Sequence, residues 1–123
     1  MIIISTDRAP AAVGPYSQAI VTGGTVYTSG QIPIDPATGN LVSGGIVAQT
    51  EQTINNIAEI LKAAGSDLTQ VIKTTCYLAD MGDFAPFNAV YEKYFTAKPA
   101  RSCIGSVDLP KGALVEIDVV AEI

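Results

Sequence analysis

Three short stretches of this 123-residue chain carry side chains or backbone suited to chemistry. Arg101-Ser102-Cys103 follows Pro99 in a β-rich run, and alternation along a strand puts Arg101 and Cys103 on one side. A guanidinium fork binds a carboxylate through two parallel hydrogen bonds, so Arg101 is either a carboxylate clamp or a member of a surface ion pair. Cys103 is either a small apolar residue in a sheet or a nucleophile. The second role needs a base or a cation to favour the thiolate, and Arg101 is its only cationic neighbour in sequence. Glu116 is one of three acids alternating with apolar residues near the C-terminus. It either meets solvent or, if its face is buried, becomes a carboxyl with a raised pKa fit for proton transfer. Thr28-Ser29-Gly30-Gln31 ends a strand with a glycine, which marks either a simple strand end or a place where a ligand approaches the backbone.

The chain has no histidine and two cysteines, Cys76 and Cys103. Ser-His-Asp and Cys-His machinery is therefore excluded, and so is the usual zinc site. No metal site is expected, and two cysteines do not make a disulfide scaffold.

The elements that must position these residues follow from periodicity. Ile2 to Ile4 reads as a first or edge strand. Tyr16 to Val21 and Thr25 to Ser29 flank Thr22-Gly23-Gly24 as a hairpin. Pro33 to Asn40 reads as a loop. Val47, Thr50, Ile54, Ile57, Leu61 and Ala64 follow the spacing of one helical face, and Gly65 ends that helix. The more polar Gln49, Gln52, Asn55, Asn56 and Glu59 fall mainly elsewhere. Val71 to Ala79 is a strand. A second helix starts near Asp83 as N-cap, tolerates Pro86 in its first turn, and carries Phe84, Phe87, Tyr91, Tyr94 and Phe95. Arg101 to Val107 is a strand and 109–112 a turn. In the last strand, Leu114 to Ile123, residues Val115, Ile117, Val119, Ala121 and Ile123 share one face, with Glu116, Asp118 and Glu122 on the other.

The predicted fold is a single α+β domain over 1–123, with two layers: a mostly antiparallel sheet and two helices on one face. No helix is left to cover the other face, and only 15% of the residues are charged against 48% hydrophobic. Both features predict an oligomer. Twelve Asp and Glu against seven Lys and Arg give a net charge of −5 and a pI near 4.4, so no nucleic-acid partner is expected. No apolar run is long enough to span a bilayer, and no secretory leader is apparent, so no membrane association and a cytoplasmic location are expected.

In chain order, the segments from Ala9 to Gln18, Thr28 to Pro33, Pro99 to Cys103, Leu109-Pro110-Lys111 and Val115-Glu116-Ile117 resemble the signature blocks of the RidA (YjgF-like) family along essentially the whole length. The resemblance implies a chorismate-mutase-like subunit, a homotrimer with a central sheet barrel, and active sites in clefts between subunits. It implies cofactor-free hydrolysis of small carboxylate-bearing imines and enamines, such as 2-iminopropanoate and 2-iminobutanoate, to 2-oxo acids and ammonia. Carried over by position, Arg101 binds the substrate carboxylate, and Gly30 and Cys103 offer backbone groups. Glu116 holds the attacking water, and Tyr16, Ser29 and Asn88 line the cleft. Two other activities stay open: an endoribonuclease, which the acidic balance disfavours, and a non-catalytic regulatory trimer. The chain departs from the family pattern after Cys103, where Gly105 replaces a glutamate and Asp108 a basic residue; both sit close to the clamp in sequence.

Overall fold

The computed structural model describes all 123 residues. Its main feature is a six-stranded sheet. Strand β1 (Ile2–Ile4) pairs with β2 (Ala19–Thr22), which turns through Gly23-Gly24 into β3 (Thr25–Thr28). After helix α1 (Gly45–Ala63) the chain adds β6 (Val71–Leu78), helix α2 (Phe84–Tyr94), β7 (Ala100–Ile104) and β8 (Val115–Glu122). The sheet order is β1-β2-β3-β8-β6-β7. Every pairing is antiparallel except β6 with β7. The last strand thus lies in the middle, between β3 and β6. No helix is long and apolar enough to cross a membrane.

Both helices lie on one face of the sheet. Val115, Ile117, Val119 and Ala121 of β8 meet them at 0–1% exposure. On α1, Ile54, Ile57, Ile60 and Leu61 are fully buried against that layer. Each such aliphatic side chain contributes about 1.5–3 kcal/mol of transfer free energy. The helix stops where Gly65 takes φ 84 and the Ser66 amide bonds back to the Leu61 carbonyl at 2.8 Å. On α2, Phe87, Val90 and Tyr91 are buried and Phe95 follows just beyond the helix.

Several expected boundaries move. The 33–40 segment is not all loop: β4 (Ile34–Asp35) and β5 (Asn40–Leu41) form a small ladder closed by the Asp35 carboxylate, which accepts the Ala37 amide at 2.9 Å. The first arm of the hairpin starts at Ala19. Gln18 instead ties down the preceding loop, its amide donating to the Thr6 and Pro10 carbonyls at 2.9 and 2.8 Å. Asp83 precedes α2 without a side-chain cap. Asp80 takes the capping role one turn earlier, accepting the Gly82 amide at 2.8 Å. The strand at Arg101 ends at Ile104, because Ser106 turns left-handed at φ 58. Ile123 lies beyond β8 and is half exposed.

The other face of the sheet carries no helix. The row Ile3, Ile20, Tyr27, Val120 and Lys73 runs across it by strand register. Ile3 is 62% and Tyr27 47% exposed there.

Candidate active site

Arg101 sits on β7, at one edge of the sheet, and its register partner on β6 is Thr74. Both point toward the helices. The guanidinium carbon lies 4.7 Å from the Tyr91 ring centroid and 5.6 Å from that of Phe84, and Nη1 donates to Asn88 Oδ1 at 2.7 Å. All three partners come from α2, each about one helical turn from the next. Ring faces attract the cation without consuming a directional donor, so one N–H is committed to Asn88 and the rest of the fork stays free. A cleft of about 780 Å³ opens beside it, lined by Asn88, Phe95, Pro99 and Arg101 together with Lys93 and Lys98. Cys103 lies two residues along the same face, packed against the core. Burial pushes its thiol pKa up and Arg101 opposes this, so the side chain is a poor thiolate. Beyond it, a side chain at Gly105 would collide with Met81, which fills that space from the turn before α2.

Glu116 lies on β8 and faces the helix-free side, directly paired with Tyr77. Burial raises its carboxyl pKa, and the neighbouring charge of Asp118 raises it further. Asp118 is also raised by burial, with Lys73 pulling it back. The segment after β3 is drawn against β8 by Gln31, which exchanges two backbone hydrogen bonds with Ile117, 2.8 and 3.1 Å. This brings Gly30 over the Glu116 side chain so closely that an added Cβ would stand 2.9 Å from the carboxyl carbon Cδ. A side chain at position 30 would push the Glu116 carboxyl out of the volume it occupies. Tyr16, Gly30, Ile32, Ile34, Lys111 and Glu116 are among the residues around a cleft of about 250 Å³. Ser29 does not point into it; its hydroxyl donates to the Ser17 carbonyl at 2.6 Å.

The expected site residues therefore fall into two groups. Arg101, Asn88 and Cys103 gather on the helical side of β7. Tyr16, Gly30 and Glu116 gather around the 250 Å³ cleft, with Ser29 supporting the loop behind. The faces differ, so one chain does not bring Arg101 and Glu116 together. Sequence reasoning missed the rings of Tyr91 and Phe84 as the bed for Arg101. The signal was present in the aromatic face of the second helix, but register was needed to place that face under β7. It also missed Lys111 as the second charged residue around the cleft of Glu116.

The family model described as Endoribonuclease L-PSP matches residues 6–123. A goat protein named 2-iminobutanoate/2-iminopropanoate deaminase is 53% identical over 97% of this chain and 88% of its own. The crystal structure of the YjgF gene product from E. coli superposes with a TM-score of 0.94 at 40% identity, covering 99% of this chain and 98% of that one. The structure of E. coli TdcF with bound serine gives 0.95 at 38% identity, covering 100% and 99%.

Proposed function

This chain belongs to the endoribonuclease L-PSP family, the YjgF/RidA family whose blocks its sequence resembles, and on that premise we propose that it hydrolyses small 2-imino acids to 2-oxo acids and ammonia. The observation that carries the reading is the Arg101 fork, laid on two rings with most of its donors free, in a chain whose full-length relative is named for this reaction. That a related protein of the same fold holds serine, a small amino acid, supports a cleft for carboxylates of this size. The net charge of −5 and the absence of histidine favour an imine over a phosphodiester as substrate.

Arg101 takes the substrate carboxylate in two charge-assisted bonds and so fixes C2 of the imine. Glu116 orients a water against C2. The water oxygen bonds to C2 while the proton it sheds passes through the carboxyl to the nitrogen. The resulting carbinolamine expels ammonia and leaves the 2-oxo acid. A carboxyl whose pKa burial raises above its ordinary value takes up a proton more readily than a free one and can pass it on. Backbone groups at Gly30 and Cys103 border the reacting centre, and Tyr16, Asn88 and Ser29 shape or support it. No cofactor enters these steps.

The two half-sites meet when chains assemble. A homotrimer whose helix-free faces close on one another into a barrel puts the Arg101 side of one subunit against the Glu116 side of the next. Ile3, Tyr27 and Ile104, 62%, 47% and 43% exposed in the single chain, support a covered face. Residence in the cytoplasm belongs to the same proposal, supported by two free thiols on adjacent strands. The test is one preparation carried through two measurements. Light scattering after gel filtration is expected to give about three times the 12.8 kDa subunit. Turnover of 2-iminobutanoate made in situ is expected to exceed the spontaneous rate. A trimer with no turnover would remove the deaminase reading, and an active monomer would remove the shared cleft.

A further inference from the structure

Beneath Arg101 lies a buried hydrogen bond that neither assembly nor chemistry has yet used. Thr74 is fully buried and Tyr91 is 6% exposed, so their hydroxyls are removed from bulk water. Those hydroxyls lie 2.8 Å apart. Thr74 is the register neighbour of Arg101 on the adjoining strand, and the Tyr91 ring is the nearer of the two faces under the guanidinium. Phe87 and Phe95 pack against that ring, with centroids 5.7 and 4.5 Å away and planes tilted by 43° and 30°. Apolar packing of this kind is non-directional and sets no position along the long axis of the ring. The hydroxyl bond to Thr74 supplies that coordinate.

We propose that Thr74 and Tyr91 are positioning residues for Arg101: their hydrogen bond sets the depth of the ring on which the guanidinium rests, and so aims the fork at the substrate carboxylate. The proposal builds on the reading that Arg101 binds this carboxylate. Arginine carries a large store of rotamer freedom, and a fork left mobile would lose that freedom on binding. Seated on a fixed ring and tied to Asn88, it loses that freedom at folding instead. The contact with the carboxylate exists in the ground state and in the transition state alike. A small loss of aim weakens this contact without removing it, and is therefore felt in KM more than in kcat.

The test separates aim from stability. Tyr91→Phe keeps the ring and strips the hydroxyl, which leaves the Thr74 hydroxyl buried with only a weak contact to the Cys76 sulfur at 3.9 Å. The melting temperature falls and KM for 2-iminobutanoate rises about fivefold, the scale of one net hydrogen bond, while kcat stays within about twofold. The double variant Thr74→Val/Tyr91→Phe replaces both partners by apolar groups of similar shape, which restores stability. KM is expected to stay raised in this variant, and so is the Kd for 2-oxobutanoate measured by calorimetry. If KM and Kd return to the wild-type values together with the melting temperature, the pair is structural and the proposal falls. The Kd also keeps the two readings apart. Wild-type protein that binds 2-oxobutanoate but never turns over the imine defeats the deaminase reading. An equal Kd in wild type and double variant defeats the positioning role whatever the turnover.

Discussion

The two halves of the candidate site are held in place by opposite means. Arg101 is placed by what surrounds it: two rings below, an amide oxygen beside it, and a buried hydroxyl pair beneath. Glu116 is placed by what is missing, since it lies in the space that Gly30 leaves open, and its pKa is set by burial and by Asp118. A long cation with many torsions needs a scaffold of partners to point one way. A short carboxyl on a central strand is already directed by its backbone and needs only room. The difference teaches that a site search keyed to polar contacts finds the first half and overlooks the second.

The largest test of this contrast is Arg101→Ala. Removing one partner of a charge-assisted contact in a partly desolvated cleft costs about 2–4 kcal/mol, or about 30- to 1000-fold in kcat/KM. The oligomer is expected to survive, and Arg101→Lys to recover only part of the loss, since an ammonium offers a point charge instead of a fork. A fully active Arg101→Ala protein would leave the half with the scaffold without a role. Gly30→Ala comes next. It fills the volume of the Glu116 carboxyl and leaves its charge untouched, so kcat should drop by about 100-fold, the scale of an ångström-sized misplacement. Unchanged kcat in this variant would mean that the position of Glu116 is immaterial.

A smaller effect comes from Asp118→Asn. Glu116 has a pKa raised above its ordinary 4.5, so the carboxylate form appears only at higher pH than usual. Asp118 contributes to that rise by its charge, and its removal should move the limb of the pH–rate profile toward lower pH. The same shift has a sign in stability: a raised carboxyl favours folding below its unfolded pKa, and the benefit is lost as pH rises through the folded value. Weakening the rise should therefore flatten the pH dependence of melting between those two points. A limb that stays in place would show that Glu116 does not control it. The smallest effect is expected for Cys103→Ala. The proposed use of Cys103 is through its backbone, and its thiol is held in the protonated form, so turnover should stay within about twofold. Complete loss in an intact oligomer would turn the cysteine into a nucleophile and overturn the mechanism.

Much of the scaffold was legible because its periodicities are strong. The alternation from Val115 to Ala121 is that of a strand buried on one face, and so it lies. The spacing of Ile54, Ile57 and Leu61 marks a helix. The same pattern misjudged the ends of that helix's buried stripe. Val47 is 45% exposed, whereas Gln49 and Asn56, assigned to the polar side, are buried. Their amides do work that periodicity does not encode. Gln49 Oε1 accepts the Leu114 amide at 2.8 Å, and Asn56 donates to the Ile34 carbonyl at 2.9 Å, each fastening a distant segment to the helix. The site was legible as residue types but not as geometry. The faces of Arg101 and Glu116 depend on how β7 and β8 each register with β6, and pairing between remote segments leaves no local mark in the chain.

The place of β8 in the sheet order bears on how the molecule comes into being. Thr25 pairs with Glu122, and Val71 with Ala121, so the segment made after every other strand is the one that joins the two halves of the sheet. While the chain is being synthesised, β1 to β3 and the β6–β7 pair each wait with an unfilled edge. Native pairing of this kind closes very long loops, which slows folding relative to proteins dominated by local contacts. Until β8 arrives, the exposed edges of β3 and β6 are open to strands of other nascent chains, a setting in which chaperone capture protects against misassembly.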